Sequence, residues 1–174
     1  MTALLTKPKP LVLVDVDGPL IPTYAQKKPQ GYTAFQASPR YHGGTGGKTV
    51  RIWLNKRHGA WLKALDHDLV WATAWEASAN KEIGSRIGLP TMPHISFTTP
   101  FLRNPDNSHW KLNDLLMYAD GRPFVWLDDG ITGADTVRVA VEYPAPALLY
   151  RVDPRWGLTY DDMVNVWEWL KFVS

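Results

Sequence analysis

Two short acidic motifs carry the chemistry that can be read first. Asp15 and Asp17, in Asp15-Val16-Asp17-Gly18, follow the apolar run Leu11 to Val14, and Asp128-Asp129-Gly130 follows the apolar run Pro123 to Leu127. An Asp-Gly pair after a strand is ordinary turn chemistry, and either motif alone would mean no more than that. Two such motifs after two apolar strands have a further consequence. In an open parallel sheet, ligands bind at the carboxyl ends of the strands, so the four carboxylates would converge on one crevice. Crowded carboxylates raise one another's pKa unless a cation sits among them. An all-oxygen donor set suits Mg²⁺, which keeps waters that a phosphate can displace.

The elements that must position these acids alternate along the chain. Leu11 to Val14 reads as a buried parallel strand. Residues 21–54 read as an irregular excursion or β-hairpin flap, with Thr49 to Leu54 as its returning strand. Asn55 is positioned to cap a helix over Lys56 to Leu65. The pattern then predicts a strand over Leu69 to Thr73, a helix over 76–87 and a Pro- and Thr-rich connection over 91–108. A helix from Trp110 to Tyr118, the strand Pro123 to Leu127, a helix over 132–141 and a strand from Ala147 to Val152 follow. A closing helix from Tyr160 to Val173 would turn Met163, Val166, Trp167 and Leu170 inward. This alternation predicts an α/β fold: a single Rossmann-like domain over 1–174 with a central parallel sheet flanked by helices.

Composition narrows the function classes. The 174 residues include no Cys, which excludes a disulfide scaffold, thiolate zinc and a Cys nucleophile. No apolar run has the length of a membrane span or a signal sequence, and a cytoplasmic setting is expected. Net charge is only +2 but unevenly placed: residues 1–65 hold ten Lys and Arg against two acids, and the remainder nine against fifteen. A one-sided field of this kind favours anionic partners.

The motifs together resemble the haloacid dehalogenase (HAD) superfamily. Asp15-Val16-Asp17-Gly18-Pro19-Leu20 is similar to its first motif, Thr73 to its second, Lys111 to its third and Asp128-Asp129 to its acidic fourth, in the right order over residues 11–129. The wider pattern, Trp71 to Glu76, Gly88-Leu89-Pro90 and Trp126 to Asp129, is similar to the small HAD domains of RNA-repair proteins. The resemblance implies an Mg²⁺-dependent phosphatase. Asp15 would be the nucleophile that forms an aspartyl-phosphate, and Asp17 the general acid and base. Thr73 and the Ala74 amide would bind the phosphoryl group, with Lys111 as its countercharge. The metal would be held by Asp15, the Asp17 carbonyl, Asp129 and, directly or through water, Asp128. Asp17 argues against dehalogenation, because HAD dehalogenases lack an aspartate at that offset.

Neither intermotif gap has room for a full cap domain, so the site should be open and suit a large phosphorylated substrate such as an RNA or DNA end. Lys27, Lys28, Arg40, Lys48 and Arg51, interleaved with Tyr24, Tyr32, Phe35, Tyr41 and Trp53, support that choice. Small phosphorylated metabolites, or a non-catalytic binding module, are the rival readings. Gly43 to Thr49 is not a phosphate-binding P-loop: His42 stands where the first Gly must be, and the segment precedes a strand. It reads as a flap over the site, with Lys48 in reach of substrate.

Overall fold

Every second residue of the first strand faces a different core, and that alternation organises the molecule. A computed structural model describes residues 9–41 and 47–174. In strand β1 (Leu11–Val14), Val12 and Val14 join one hydrophobic cluster while Leu11 and Leu13 join another on the opposite face. β5 (Phe124–Asp128) behaves alike: Val125 and Leu127 lie in the first cluster, Phe124 and Trp126 in the second. Strands covered on both faces must be apolar throughout, so their sequences are continuous runs and not alternating ones.

The sheet has four parallel strands in the order β4-β1-β5-β6, where β4 is Asp68–Trp71 and β6 is Ala147–Arg151. The chain moves from β1 to β4 on one side, then crosses over to β5 on the other. The direction of winding therefore reverses at β1, which opens a crevice at the carboxyl ends of β1, β4 and β5. The α/β fold with a parallel sheet and flanking helices is thus as expected.

Between β1 and the first helix lies the antiparallel hairpin of β2 (Thr33–Ala37) and β3 (Val50–Leu54), paired from Thr33 with Leu54 to Ala37 with Val50. Ala37, Ile52 and Leu54, on one face of the hairpin, are buried in the first cluster, so that face is part of the core. Residues 42–46, which include most of the Gly-rich segment and His42, lie outside the described residues. Helix α1 (Lys56–Ala64) begins where predicted, the Asn55 side chain accepting from the Arg57 N–H.

Three expectations need correction. The continuous helix expected over 76–87 is absent: Glu76 has a left-handed φ of 45°, and a π-helical turn, Asn80–Gly84, runs into the short α2 (Ser85–Ile87). The Asn80 side chain is engaged elsewhere, accepting from the Trp71 indole and the Met92 N–H at 2.8 Å each and donating to the Met92 carbonyl at 2.9 Å. Helix α3 starts at Leu112 instead of Trp110 and runs to Ala119. In the closing helix α5 (Tyr160–Val173), Met163, Val166 and Leu170 are buried but Trp167 is 46% exposed. It sits at the edge of the buried stripe, with the Lys171 ammonium 4.1 Å from its ring centre. The remaining helix, α4 (Gly133–Glu142), follows β5. No helix among the described residues is long and apolar enough to cross a membrane.

His58, on α1, is buried and bonds the Leu158 carbonyl at 2.9 Å. Burial pushes its pKa down to about 4, against the smaller upward pulls of that carbonyl and of Asp162. The folded protein therefore keeps the ring neutral where the unfolded chain, near 6.5, already takes a proton. This contribution to stability is complete above pH 6.5 and is lost as pH falls from there to about 4. It amounts to about 3 kcal/mol. The advantage of the wild type over the His58→Gln protein, read from urea midpoints between pH 7.5 and 4, should shrink across that window, the carboxylates being common to both proteins.

Candidate active site

The crevice at the winding reversal gathers the acids. Asp15 is the first residue after β1, and its backbone N–H still bonds the Leu127 carbonyl of β5 at 3.0 Å. Asp128 is the last residue of β5. Both are buried, and Lys111, itself buried just before α3, reaches between them. Its ammonium lies 2.8 Å from Asp15 Oδ2 and 2.7 Å from Asp128 Oδ2. The second oxygen of each carboxylate is also bonded. Asp15 Oδ1 accepts from the Val16 N–H at 2.8 Å, and Asp128 Oδ1 accepts from the Gly130 N–H at 2.8 Å.

Lys111 is held by the chain before it. The His109 ring accepts the Lys111 N–H through Nδ1 at 3.2 Å, and the His109 carbonyl accepts from the Asn104 side chain at 2.8 Å. The His109 N–H donates to Asp135 at 2.5 Å. Asp135 is fully buried and also closes the capping box of α4 with Thr132. One carboxylate thereby ties the segment that presents Lys111 to the helix that follows β5.

Gly18 and Asp129 fit against one another. Gly18 has φ +91°, and a Cβ there would meet Asp129 Cγ at 2.5 Å. Asp129 is part-buried, and burial, then the neighbouring Asp128 charge, raises its pKa to about 6. One oxygen each of Asp15, Asp128 and Asp129 lies within 4.8 Å of the others. Burial raises the Asp15 pKa well above its ordinary value; Lys111 pulls against that rise, and the Asp128 and Asp17 charges add to it. Asp128 goes the other way: against its burial, Lys111, His109 and the Gly130 N–H hold its pKa down. Four carboxylates around one ammonium are under-neutralised, and the all-oxygen donor set fits a hard divalent cation.

Asp17 stands apart from that donor group. Its Oδ2 accepts from the Trp75 indole N–H at 2.8 Å, and burial raises its pKa while the indole opposes the rise. Trp75 also packs edge-on against Tyr41 of the hairpin arm, with ring centres 5.8 Å apart. Thr73 lies two residues past the end of β4, with no exposure, and its hydroxyl accepts from the Trp75 N–H at 3.4 Å. Ala74 is buried beside it. Neither makes a hydrogen bond to the Asp15–Lys111 group. Lys48 is exposed on the hairpin and makes no hydrogen bond or ion pair among the described residues, so nothing ties it to the site. The sequence reading missed Trp75, Asp135 and the Val16 and Gly130 amides.

A parallel sheet that reverses at the strand bearing Asp15, with a lysine bridging aspartates from two strand ends, is the architecture of a HAD-type hydrolase. The family model described as "HAD domain in Swiss Army Knife RNA repair proteins" matches residues 11–163, and the chain belongs to that family. Comparison with curated proteins and with solved structures gave no match.

Proposed function

We propose that this protein is an Mg²⁺-dependent phosphomonoesterase that acts on nucleic-acid ends through an aspartyl-phosphate. The observation that carries the reading is the buried Lys111 ammonium, held 2.8 Å from Asp15 and 2.7 Å from Asp128. A free oxygen lone pair of Asp15 attacks phosphorus, and the bond from phosphorus to the ester oxygen breaks. The leaving oxygen takes its proton from Asp17, whose carboxyl is pushed by burial above its ordinary range. Asp17, now a carboxylate, takes a proton from water. The hydroxide attacks phosphorus, the bond to Asp15 breaks and inorganic phosphate leaves. Lys111 compensates charge throughout. Thr73 and the Ala74 N–H receive a phosphoryl oxygen.

Asp15, Asp129 and the Asp17 carbonyl would hold Mg²⁺, which when bound supplies charge neutralisation between nucleophile and phosphate. Both Asp128 oxygens are already bonded, to Lys111 and Gly130. Both Asp15 oxygens are bonded in the same way, to Lys111 and Val16, so these bonds do not rank the acids, and Asp128 would hold the ion directly or through water. The expected effect of Gly18→Ala follows: strain at φ +91° and a clash at 2.5 Å displace the Asp129 carboxylate. Melting followed against Mg²⁺ concentration should show stability lower by about 1–3 kcal/mol and Mg²⁺ affinity weaker by about 10- to 100-fold.

The family match to RNA-repair proteins and the basic first third of the chain support a nucleic-acid end as substrate. The test is Mg²⁺-dependent phosphate release from p-nitrophenyl phosphate, nucleoside monophosphates, sugar phosphates and oligonucleotides with 3′- or 5′-phosphate ends. The highest kcat/KM should fall on an oligonucleotide end and decline with salt. Fastest turnover of a sugar phosphate, insensitive to salt, would reject the substrate class.

A further inference from the structure

A basic, aromatic groove leads away from the proposed phosphate site past the carboxyl end of β6. It consists of two adjoining cavities of about 640 and 590 Å³ that share Tyr24, Gln26 and Arg155. Arg151 forms the near end: its Nε donates to the Asp129 carbonyl at 3.1 Å, so the groove starts at the metal-site loop. Lys27 and Lys28 line the far end. Asp153, paired with Arg155, is the one acid among the lining residues of these two cavities, so positive charge prevails.

Two large rings stand open to solvent in the groove, Tyr24 at 66% exposure and Trp156 at 61%. Neither belongs to a core cluster. Their backbone, by contrast, is fixed. The Tyr24 N–H bonds the Pro154 carbonyl at 3.0 Å, and the Trp156 carbonyl accepts from the Tyr32 hydroxyl at 2.7 Å. The Leu158 N–H bonds the Pro19 carbonyl at 2.8 Å, which fastens the Trp156 loop to the loop that carries Asp17 and Gly18. Gly157, at φ +70°, permits that approach, because a Cβ would meet the Tyr32 hydroxyl at 2.5 Å and the Pro19 carbonyl at 2.9 Å.

We infer that this groove binds single-stranded nucleic acid next to the reacting end, with bases stacked on Tyr24 and Trp156 and phosphates met by Lys27, Lys28, Arg151 and Arg155. Exposed rings on rigid backbone, flanked by cations, are what a strand with unpaired bases engages: every base offers a π-face, and every linkage a negative charge. A duplex would hide those faces. The inference rests on the phosphatase reading for what lies at the near end, but the groove's own chemistry is independent of it. It places the strand past the carboxyl end of β6, where Arg151 and the Trp156 loop stand.

The test is binding of the full chain to unphosphorylated single-stranded RNA and DNA of about eight nucleotides, a length within the usual site size, followed by anisotropy of an end label at low salt. Binding of either strand is expected, with the duplex weaker. Tyr24→Ala and Trp156→Ala should each weaken it about tenfold, and Lys27→Glu with Lys28→Glu should shallow the salt dependence by about two charges. Phe172→Ala, an exposed ring on α5, should bind like the wild type. Absence of binding, or wild-type binding by both ring variants, overturns the groove. Phosphate release without strand binding would reject the groove and keep the catalytic site; strand binding without phosphate release from any end would reject the phosphatase reading and keep the groove.

Discussion

Asp15→Asn should abolish turnover and leave the fold in place. The substitution removes the nucleophilic charge but keeps size and shape, and an asparagine Oδ1 can still accept the Val16 N–H that Asp15 accepts at 2.8 Å. Lys111 retains Asp128 at 2.7 Å, so its charge keeps a counterion, and the new amide NH2, which stands where Asp15 Oδ2 met the ammonium, turns away from it. The kcat on the best oligonucleotide end should drop by about 10⁴-fold or more, as when a covalent nucleophile is removed from a hydrolase. The melting transition should stay within about 1 kcal/mol of the wild type, as expected where no buried charge is orphaned. A chemical readout separates lost chemistry from lost binding. Acid-quenched wild type should carry a labelled phosphoryl group that hydroxylamine removes, as an acyl phosphate requires, and Asp15→Asn should carry none. Persistent turnover in the variant would assign the attack to another group.

What the chain disclosed beforehand, and what it withheld, follows from the range of the interactions concerned. β1 and β5 are covered on both faces, so their apolar runs could be read directly, and an acid ending such a run must lie at the sheet's carboxyl edge. Gly18 was legible as the residue that lets the chain turn out of the strand. Its second constraint, the Asp129 side chain pressed against its α-carbon, depends on two loops about 110 residues apart in sequence and has no local signature. The same holds for Trp75 against Asp17 and for Asp135 against the His109 N–H: nothing near a Trp or an Asp in the sequence marks which distant polar group it will meet. The helix expected over 76–87 failed for a related reason. Its apolar spacing was adequate, but the Asn80 side chain serves the Trp71 indole and the Met92 backbone, and the segment bends to let it. Trp167 misled because hydrophobic spacing does not say how wide a buried stripe is; Met163, Val166 and Leu170 are buried, and the Trp167 ring lies under Lys171 at the edge of their stripe.

Removal of the central ammonium should have the opposite consequence to removal of the nucleophile. The side chains of Lys111, Asp15 and Asp128 are 4%, 8% and 1% exposed, so Lys111→Met leaves two adjacent carboxylates in a poorly solvated site. Deletion of one partner from a buried ion pair costs about 3–5 kcal/mol, and the variant should melt far below the wild type in EDTA. Asp15 supplies the means of partial relief. Its pKa already lies well above the carboxylate range because of burial, and loss of the opposing lysine raises it further. A carboxyl whose pKa is higher folded than unfolded gains stability from proton uptake. His58 costs both proteins alike as pH falls, so the metal-free variant should gain stability relative to the wild type between pH 7 and pH 4, because its Asp15 carboxyl takes up a proton more readily. Mg²⁺ offers a second route. Where the cation is the only countercharge left, about 100 times its Kd should restore about 2.7 kcal/mol, while kcat stays depressed by about 10²- to 10³-fold, because the ammonium that stabilises the transferring group is still missing. Melting curves of the two proteins in EDTA and in Mg²⁺ at pH 5 and pH 7 decide the matter. Equal stability in EDTA with no pH contrast between them would mean that Lys111 does not compensate the aspartates, and the site would lose the interaction on which the phosphatase reading depends.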